Sequence, residues 1–311
     1  MAPQSAEDRA PHGDAADGII YESASPVLYA VEGPIAWVRM NRPRFGNAQN
    51  SQMTYALDEA FRCAAADDAV KVIVLAGEGK HFSAGHDIGT PGRDVKRSFD
   101  RVSLWPDHVG KPGAEFLYTR EQEVYLGMCR RWREMPKPTI AMVHGACIAG
   151  GLMLAWVCDF IVASDDAYFQ DPVLKMGIPG VEYFAHAFEL PPRIAKEFLL
   201  LGEKMPAARA YELGMVNRLT PRGELEGATR AFAARLAEMP GLGLSLGKQA
   251  INLVEDLRGK RSAMDATFHM HHFAHAQNDL LHGNAIAGKR AQDIAEDNKA
   301  RDAKDETEGA D

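Results

Sequence analysis

Two short turns carry the first chemical signal in this chain. One is Phe82-Ser83-Ala84-Gly85-His86-Asp87-Ile88 and the other His144-Gly145-Ala146-Cys147-Ile148-Ala149-Gly150-Gly151. Each follows a compact apolar run, residues 70–76 and 139–143, that reads as a strand buried on both faces. The second turn runs straight into an apolar helical segment. A helix N-terminus leaves backbone N–H groups unpaired and carries a partial positive charge. Small residues there let a ligand oxygen approach the backbone closely. Two such turns on neighbouring strands could aim two N–H donors at one oxygen, which is the arrangement that holds an oxyanion. A glycine turn between strand and helix is by itself usually only a turn.

Two other groupings have chemical potential. Gly243-Leu244-Ser245-Leu246-Gly247 fits the nucleophile elbow of hydrolases. That motif must follow a buried strand, yet Met239-Pro240-Gly241 precedes it. An esterase is therefore not expected. His269, His271, His272 and His275 fall on one predicted helix, and His271 and His275 share a face at a spacing that suits a metal. No third carboxylate or cysteine ligand lies nearby in sequence. The expectation is no metal, and a polar stripe over the active site or at a subunit interface.

The elements that must position these groups follow from periodicity. Val27–Ala30 and Ile35–Met40 read as short strands around a Glu32-Gly33-Pro34 turn. Ser51–Ala66 has apolar residues at helical spacing. Residues 89–120, with Pro91, Pro106 and Pro112, read as a long irregular loop, a type that often covers a site. Glu121–Glu134 reads as a helix, Thr139–Val143 as a strand, Gly150 onward as a helix and Phe160–Ala163 as a strand. Helices then follow at 194–201, 206–213, 225–239, 244–257 and 263–281. Strand–helix repeats first and helices last predict an α/β core with a helical C-terminal part.

The chain has 311 residues, with 43 acidic and 35 basic side chains and a formal charge of −8. The charge is uneven: −4 falls in residues 1–24, −4 in 296–311, and the body between is neutral. Both ends lack the apolar residues that offset ordering entropy, so both are expected to be disordered tails. The acidic balance excludes a protein that coats phosphate backbones, so no nucleic-acid partner is expected. The longest apolar run, residues 145–158, is 14 residues long, short of the roughly 20 a membrane span needs. The N-terminal stretch has no apolar signal core and is too acidic for a transit peptide. Cys63, Cys129, Cys147 and Cys158 show no pairing or metal spacing. A cytoplasmic protein is the expectation.

The ordered motifs resemble the crotonase (enoyl-CoA hydratase/isomerase) superfamily. Asn41-Arg42-Pro43 with Asn47-Ala48 matches its opening motif, and Phe82–Ile88 resembles its first oxyanion loop. Pro138–Gly151, continuing to Cys158-Asp159, resembles its second. Phe169, Gly177-Ile178-Pro179-Gly180, Leu201-Gly202 and Ala210–Val216 match further signposts in order. The resemblance spans about residues 27–290. It implies a spiral core of ββα turns over residues 25–225 and a helical trimerisation region over 226–295. It implies a homotrimer or a hexamer built from two trimers. It also implies an acyl-CoA thioester substrate, with coenzyme A arriving as part of it and no separate cofactor. The thioester oxygen would be held by the His86 and Gly150 amides. Arg44 and Phe45 would lie near the CoA nucleotide, and Ser83, Ala84, Asp87 and Ile88 along the CoA arm.

One departure from the family matters most. Its hydratases use two glutamates, one on the helix after Gly150-Gly151 and one after Pro172. Met153 and Val173 stand there in this chain, and neither can transfer a proton. Asp171 is a substitute candidate, because two residues before Val173 an extended segment would point it to the same face. Glu182, assisted by Tyr183, is the other. Two functional expectations follow: an enzyme that uses one of these carboxylates, or an acyl-CoA binder that kept the pocket and lost the chemistry.

Overall fold

A computed structural model describes residues 24–90 and 93–308. The expected N-terminal tail, residues 1–23, lies outside them. Strands β1 (Val27–Glu32) and β2 (Ile35–Met40) form an antiparallel hairpin around Gly33. Helix α1 (Ser51–Ala66) follows, with the bounds its periodicity predicts. The Asn50 side chain accepts from Met53 N–H at 2.9 Å, and the Asp94 carboxylate accepts from Ser51 and Gln52 N–H. Three of the four unpaired donors at this helix start are thereby satisfied. Strand β3 (Val72–Gly77) pairs parallel with β2.

The segment after β3 differs from the long loop expected over 89–120. A helix begins at Ala114 and runs to Glu134 as α2 (Ala114–Glu121), a π turn (Gln122–Gly127) and α3 (Met128–Glu134). Pro112 and Gly113 mask its start in the sequence, although both sit outside the helix. The Glu123 carboxylate accepts from Val102 and Ser103 N–H, which ties the preceding loop to the π turn.

Strands β4 (Thr139–Val143), β6 (Phe160–Ser164) and β9 (Arg218–Thr220) complete a six-stranded sheet in the order β1-β2-β3-β4-β6-β9. A second sheet joins β5 (Ala146–Ile148), β7 (Tyr168–Gln170) and β8 (Met205–Pro206). Helix α4 (Gly150–Trp156) leaves the end of β5. Side-chain alternation divides the large sheet between two cores. Ile35, Trp37, Val72, Val74, Ile140 and Met142 face one side, where Leu225, Ala233 and Ala237 of α8 (Leu225–Ala237) cover them. Ala36, Val38, Ile73, Leu75, Ala141 and Val143 face the other, against α1, α3 and α4. Short helices α5 (His186–Glu189), α6 (Pro192–Leu201) and α7 (Ala207–Glu212) lie between β7 and β9.

Helices α9 (Gly241–Leu257), α10 (Lys260–His282) and α11 (Ala291–Glu308) end the described chain. Ser245 lies within α9 and its hydroxyl donates to Gly241 O at 3.1 Å, so it forms no nucleophile elbow. Helix α11 corrects the expectation of a tail over 296–311 as far as residue 308; residues 309–311 lie outside the described residues. Asn298 exchanges two hydrogen bonds with Gln170 (2.9 and 3.2 Å), and Ile294 is buried against Met176 and Ile178. Those few contacts dock a stretch whose composition alone looked solvated. No described helix is long and apolar enough to cross a membrane.

Candidate active site

The opening motif is the scaffold of the first turn. Asn47 has φ +54°, and its side chain accepts from Arg42 N–H while donating to Glu78 O and His81 O. Arg42 is buried and pairs with the Asp87 carboxylate at 3.1 Å. Asp87 also accepts from Thr90 N–H. Removing one partner of such a pair leaves an uncompensated buried charge, so it locks the turn to residues 42–48.

The two turns are joined to each other. Ser83 N–H donates to Ala146 O, and Ile148 N–H donates to Ser83 O. Gly85 has φ +96°, and a Cβ there would lie 2.9 Å from Ile148 O and 3.2 Å from Gly150 N. Only glycine fits this approach. Ala149 carries φ +48° and ψ −113°, a strained conformation for a residue with a Cβ, immediately before Gly150 starts α4. Gln49 bonds to Gly85 O and Asp87 N–H, on either side of His86, which turns the His86 N–H away from it. Among the described residues neither the His86 nor the Gly150 N–H has an acceptor.

Both turns border a cavity of about 610 Å³. Of the residues singled out in the sequence, Phe45, Ala84, His86, Asp87, Ile88, Val173 and Glu182 line it. The His86 ring stacks on Tyr125 (centroids 3.6 Å apart), and a Cβ on Gly150 would lie 2.6 Å from its Nδ1. Its Nε2 lies 3.0 Å from Glu182 Oε2, while Nδ1 is buried without a partner. Burial works against the Glu182 charge, but the His86 imidazole and then His271 hold its carboxyl below the usual range. Burial pushes the Tyr125 hydroxyl up to about 12.

Several expected residues lie elsewhere. Asp171 is fully buried, and its carboxylate accepts from Val173 N–H, Val181 N–H and His186 Nε2 (2.8 Å). It does not border the cavity, because Val173–Met176 is a 3₁₀ turn rather than an extended segment. Tyr183 is in the core and its buried hydroxyl has no partner; Glu182 and Tyr183 face opposite ways. Burial raises the Tyr183 hydroxyl well above its usual value. Met153 also packs in the core. The Ser83 hydroxyl donates to Asn47 O within the turn, and Arg44 is exposed.

Sequence reasoning missed two parts of the wall. Arg120, Glu121 and Tyr125 line the cavity from around the π turn, and Ile294, Ala295 and Asn298 from α11. The signal for the π turn was Gly127, where a Cβ would lie 2.3 Å from Gln122 O. His271 and His275 of α10 line the cavity too, as the polar-stripe reading expects. His271 is buried, which disfavours its charge, but Glu121 and Glu182 raise its pKa to about 9. His275 is lowered by burial. Glu121 falls well below the usual carboxylate range, because His271, His272 and His275 outweigh its desolvation.

A parallel sheet with two joined glycine turns beside one cavity defines the class of fold, and comparison with known proteins agrees. The Enoyl-CoA hydratase/isomerase family profile matches residues 30–104 and 113–291. The chain belongs to that family, within the crotonase superfamily. The protein named "Putative enoyl-CoA hydratase EchA13" of Mycobacterium tuberculosis is 40% identical over 250 residues, covering 79% of this chain and 78% of that one. The 1,2-epoxyphenylacetyl-CoA isomerase of Escherichia coli is 30% identical over 235 residues, covering 74% and 82%. The crystal structure of a probable enoyl-CoA hydratase from Mycobacterium smegmatis superposes with a TM-score of 0.75. It is 43% identical and the match covers 84% of this chain and 98% of that one.

Proposed function

We propose that the chain is an acyl-CoA-processing enzyme of the hydratase/isomerase type that stabilises a thioester enolate. The His86 and Gly150 amides hold the thioester oxygen. Each such donor contributes about 2.7–4 kcal/mol of transition-state stabilisation. The Glu182–His86 pair moves the proton at the carbon beside the thioester. Glu182 is ionised at neutral pH and accepts from His86 Nε2–H, so the neutral tautomer of His86 would present the Nδ1 lone pair next to Gly150. That buried, unpartnered nitrogen beside two free amides is the observation that carries the reading. Phe45, Ala84 and Ile88 line the path of the CoA arm.

The test combines turnover of a panel of enoyl-CoAs with calorimetry of acyl-CoA binding. Glu182→Gln is expected to cut kcat about 100-fold while leaving the acyl-CoA Kd within about threefold. Met153 and Val173 favour the binder as the second reading. Tight acyl-CoA binding by the wild-type chain with no turnover on any thioester would establish it instead. A trimer or dimer of trimers is proposed as the assembly. The support is an exposed apolar row on α9 formed by Leu242, Leu246, Leu253 and Leu257.

A further inference from the structure

Glu121, His271 and His275 converge on one point of the cavity wall. Each is at least nine-tenths buried, and all three border the cavity. His271 Nε2 and His275 Nε2 are 2.9 Å apart. Glu121 Oε2 lies 3.5 Å from the first and 4.0 Å from the second. A circle through three atoms so spaced has a radius of about 2.1 Å, the length of a zinc–nitrogen or zinc–oxygen bond.

The outward-facing nitrogens settle which atoms are free. His271 Nδ1 is 2.8 Å from Gly180 O, and His275 Nδ1 is 2.9 Å from Ala285 O. A carbonyl oxygen only accepts, so each Nδ1 carries a hydrogen, and each Nε2 offers a lone pair whenever it bears no second proton. The two Nε2 atoms and a carboxylate oxygen face one another. Glu121 Oε2 is buried and has no hydrogen-bond partner, although His272 Nε2 lies 3.1 Å away. A proton between the two Nε2 atoms, or a divalent ion in its place, balances the Glu121 carboxylate at this point. Anchoring of the far imidazole N–H on a backbone carbonyl is the outer-shell pattern of metal-ligating histidines.

We propose that Glu121 Oε2, His271 Nε2 and His275 Nε2 form a site for a first-row divalent cation of the Zn²⁺ or Co²⁺ type. Two imidazoles and one carboxylate suit such ions, whereas Mg²⁺ and Ca²⁺ prefer all-oxygen shells. Further ligands would reach such an ion from the cavity that all three residues border. Glu182 Oε1, 3.9 Å from His271 Nε2, is the nearest further carboxylate to that nitrogen. The site stands whether or not the chain turns over thioesters.

The test uses the tag-free full chain, stripped with chelator and titrated with ZnCl₂ or CoCl₂. One ion per chain is expected, with visible Co²⁺ absorption that Zn²⁺ abolishes. Glu121→Gln and His275→Gln should each weaken Zn²⁺ binding about 100-fold. His269→Gln, exposed on the same helix, should leave it unchanged. Circular dichroism checks that the variants fold. X-ray absorption of the zinc-loaded wild-type chain needs no variant and should show two imidazoles near 2.0 Å. No stoichiometric binding would overturn the site and leave a shared proton between the histidines. Binding untouched by Glu121→Gln and His275→Gln, or a zinc shell without two imidazoles, would overturn it equally.

Discussion

His86 offers two groups that substitution can separate. Its amide belongs to the turn, and its imidazole pairs with Glu182. His86→Gln keeps the amide and removes the base. Single-turnover kinetics should show kcat down about 100-fold with little change in acyl-CoA affinity. Unchanged kcat would mean that only the amide acts. His144, at the head of the second turn, donates from Nε2 to Gly79 O at 3.1 Å. Burial lowers its pKa from 6.5 to about 4. Between those values the unfolded chain binds the proton more readily, so this contribution to stability is full above pH 6.5 and is lost as pH falls toward 4. Thermal melts from pH 7 to 4 should fall more gently in His144→Asn. The turns were legible in sequence because small residues and backbone define them. Asp171 was misread because alternation holds only in extended chain, and the 3₁₀ turn after Pro172 breaks it.

Among the elements, the helix over residues 114–134 departs furthest from its sequence pattern. It presents Glu121, just before its π turn, and Tyr125, within it, to the cavity, and π turns concentrate at functional sites. Gly127→Ala would force Gln122 O away from a new methyl group. The chain should still fold, with Tm lowered by a few degrees, and acyl-CoA turnover should drop at least tenfold in a steady-state assay. Strands β3 and β4 and helix α1 were readable because one periodicity dominates each. The start of α2 was not, because prolines crowd its approach. Helix α11 was not either, because its docking rests on Ile294 and Asn298 against partners more than a hundred residues away.

At the scale of the molecule, the acidic balance no longer describes two equivalent ends. Part of the C-terminal acidic stretch is a cavity wall, while residues 1–23 lie outside the described structure. Removing residues 1–23 should leave acyl-CoA affinity unchanged by calorimetry. Removing α11 from Ala291 should weaken it at least tenfold, since Ile294, Ala295 and Asn298 leave the wall. Equal affinity in both truncations would contradict the α11 placement. The neutral body between the ends does not repel a polyanionic thioester. The π turn also sets a rotation. Such a turn is an ordinary helix with one residue inserted, and each residue turns a helix by about 100°. Deleting one residue from it would rotate Glu121 by about 100° relative to α3. The single extra residue of the π turn therefore sets whether Glu121 can meet His271 and His275 at all.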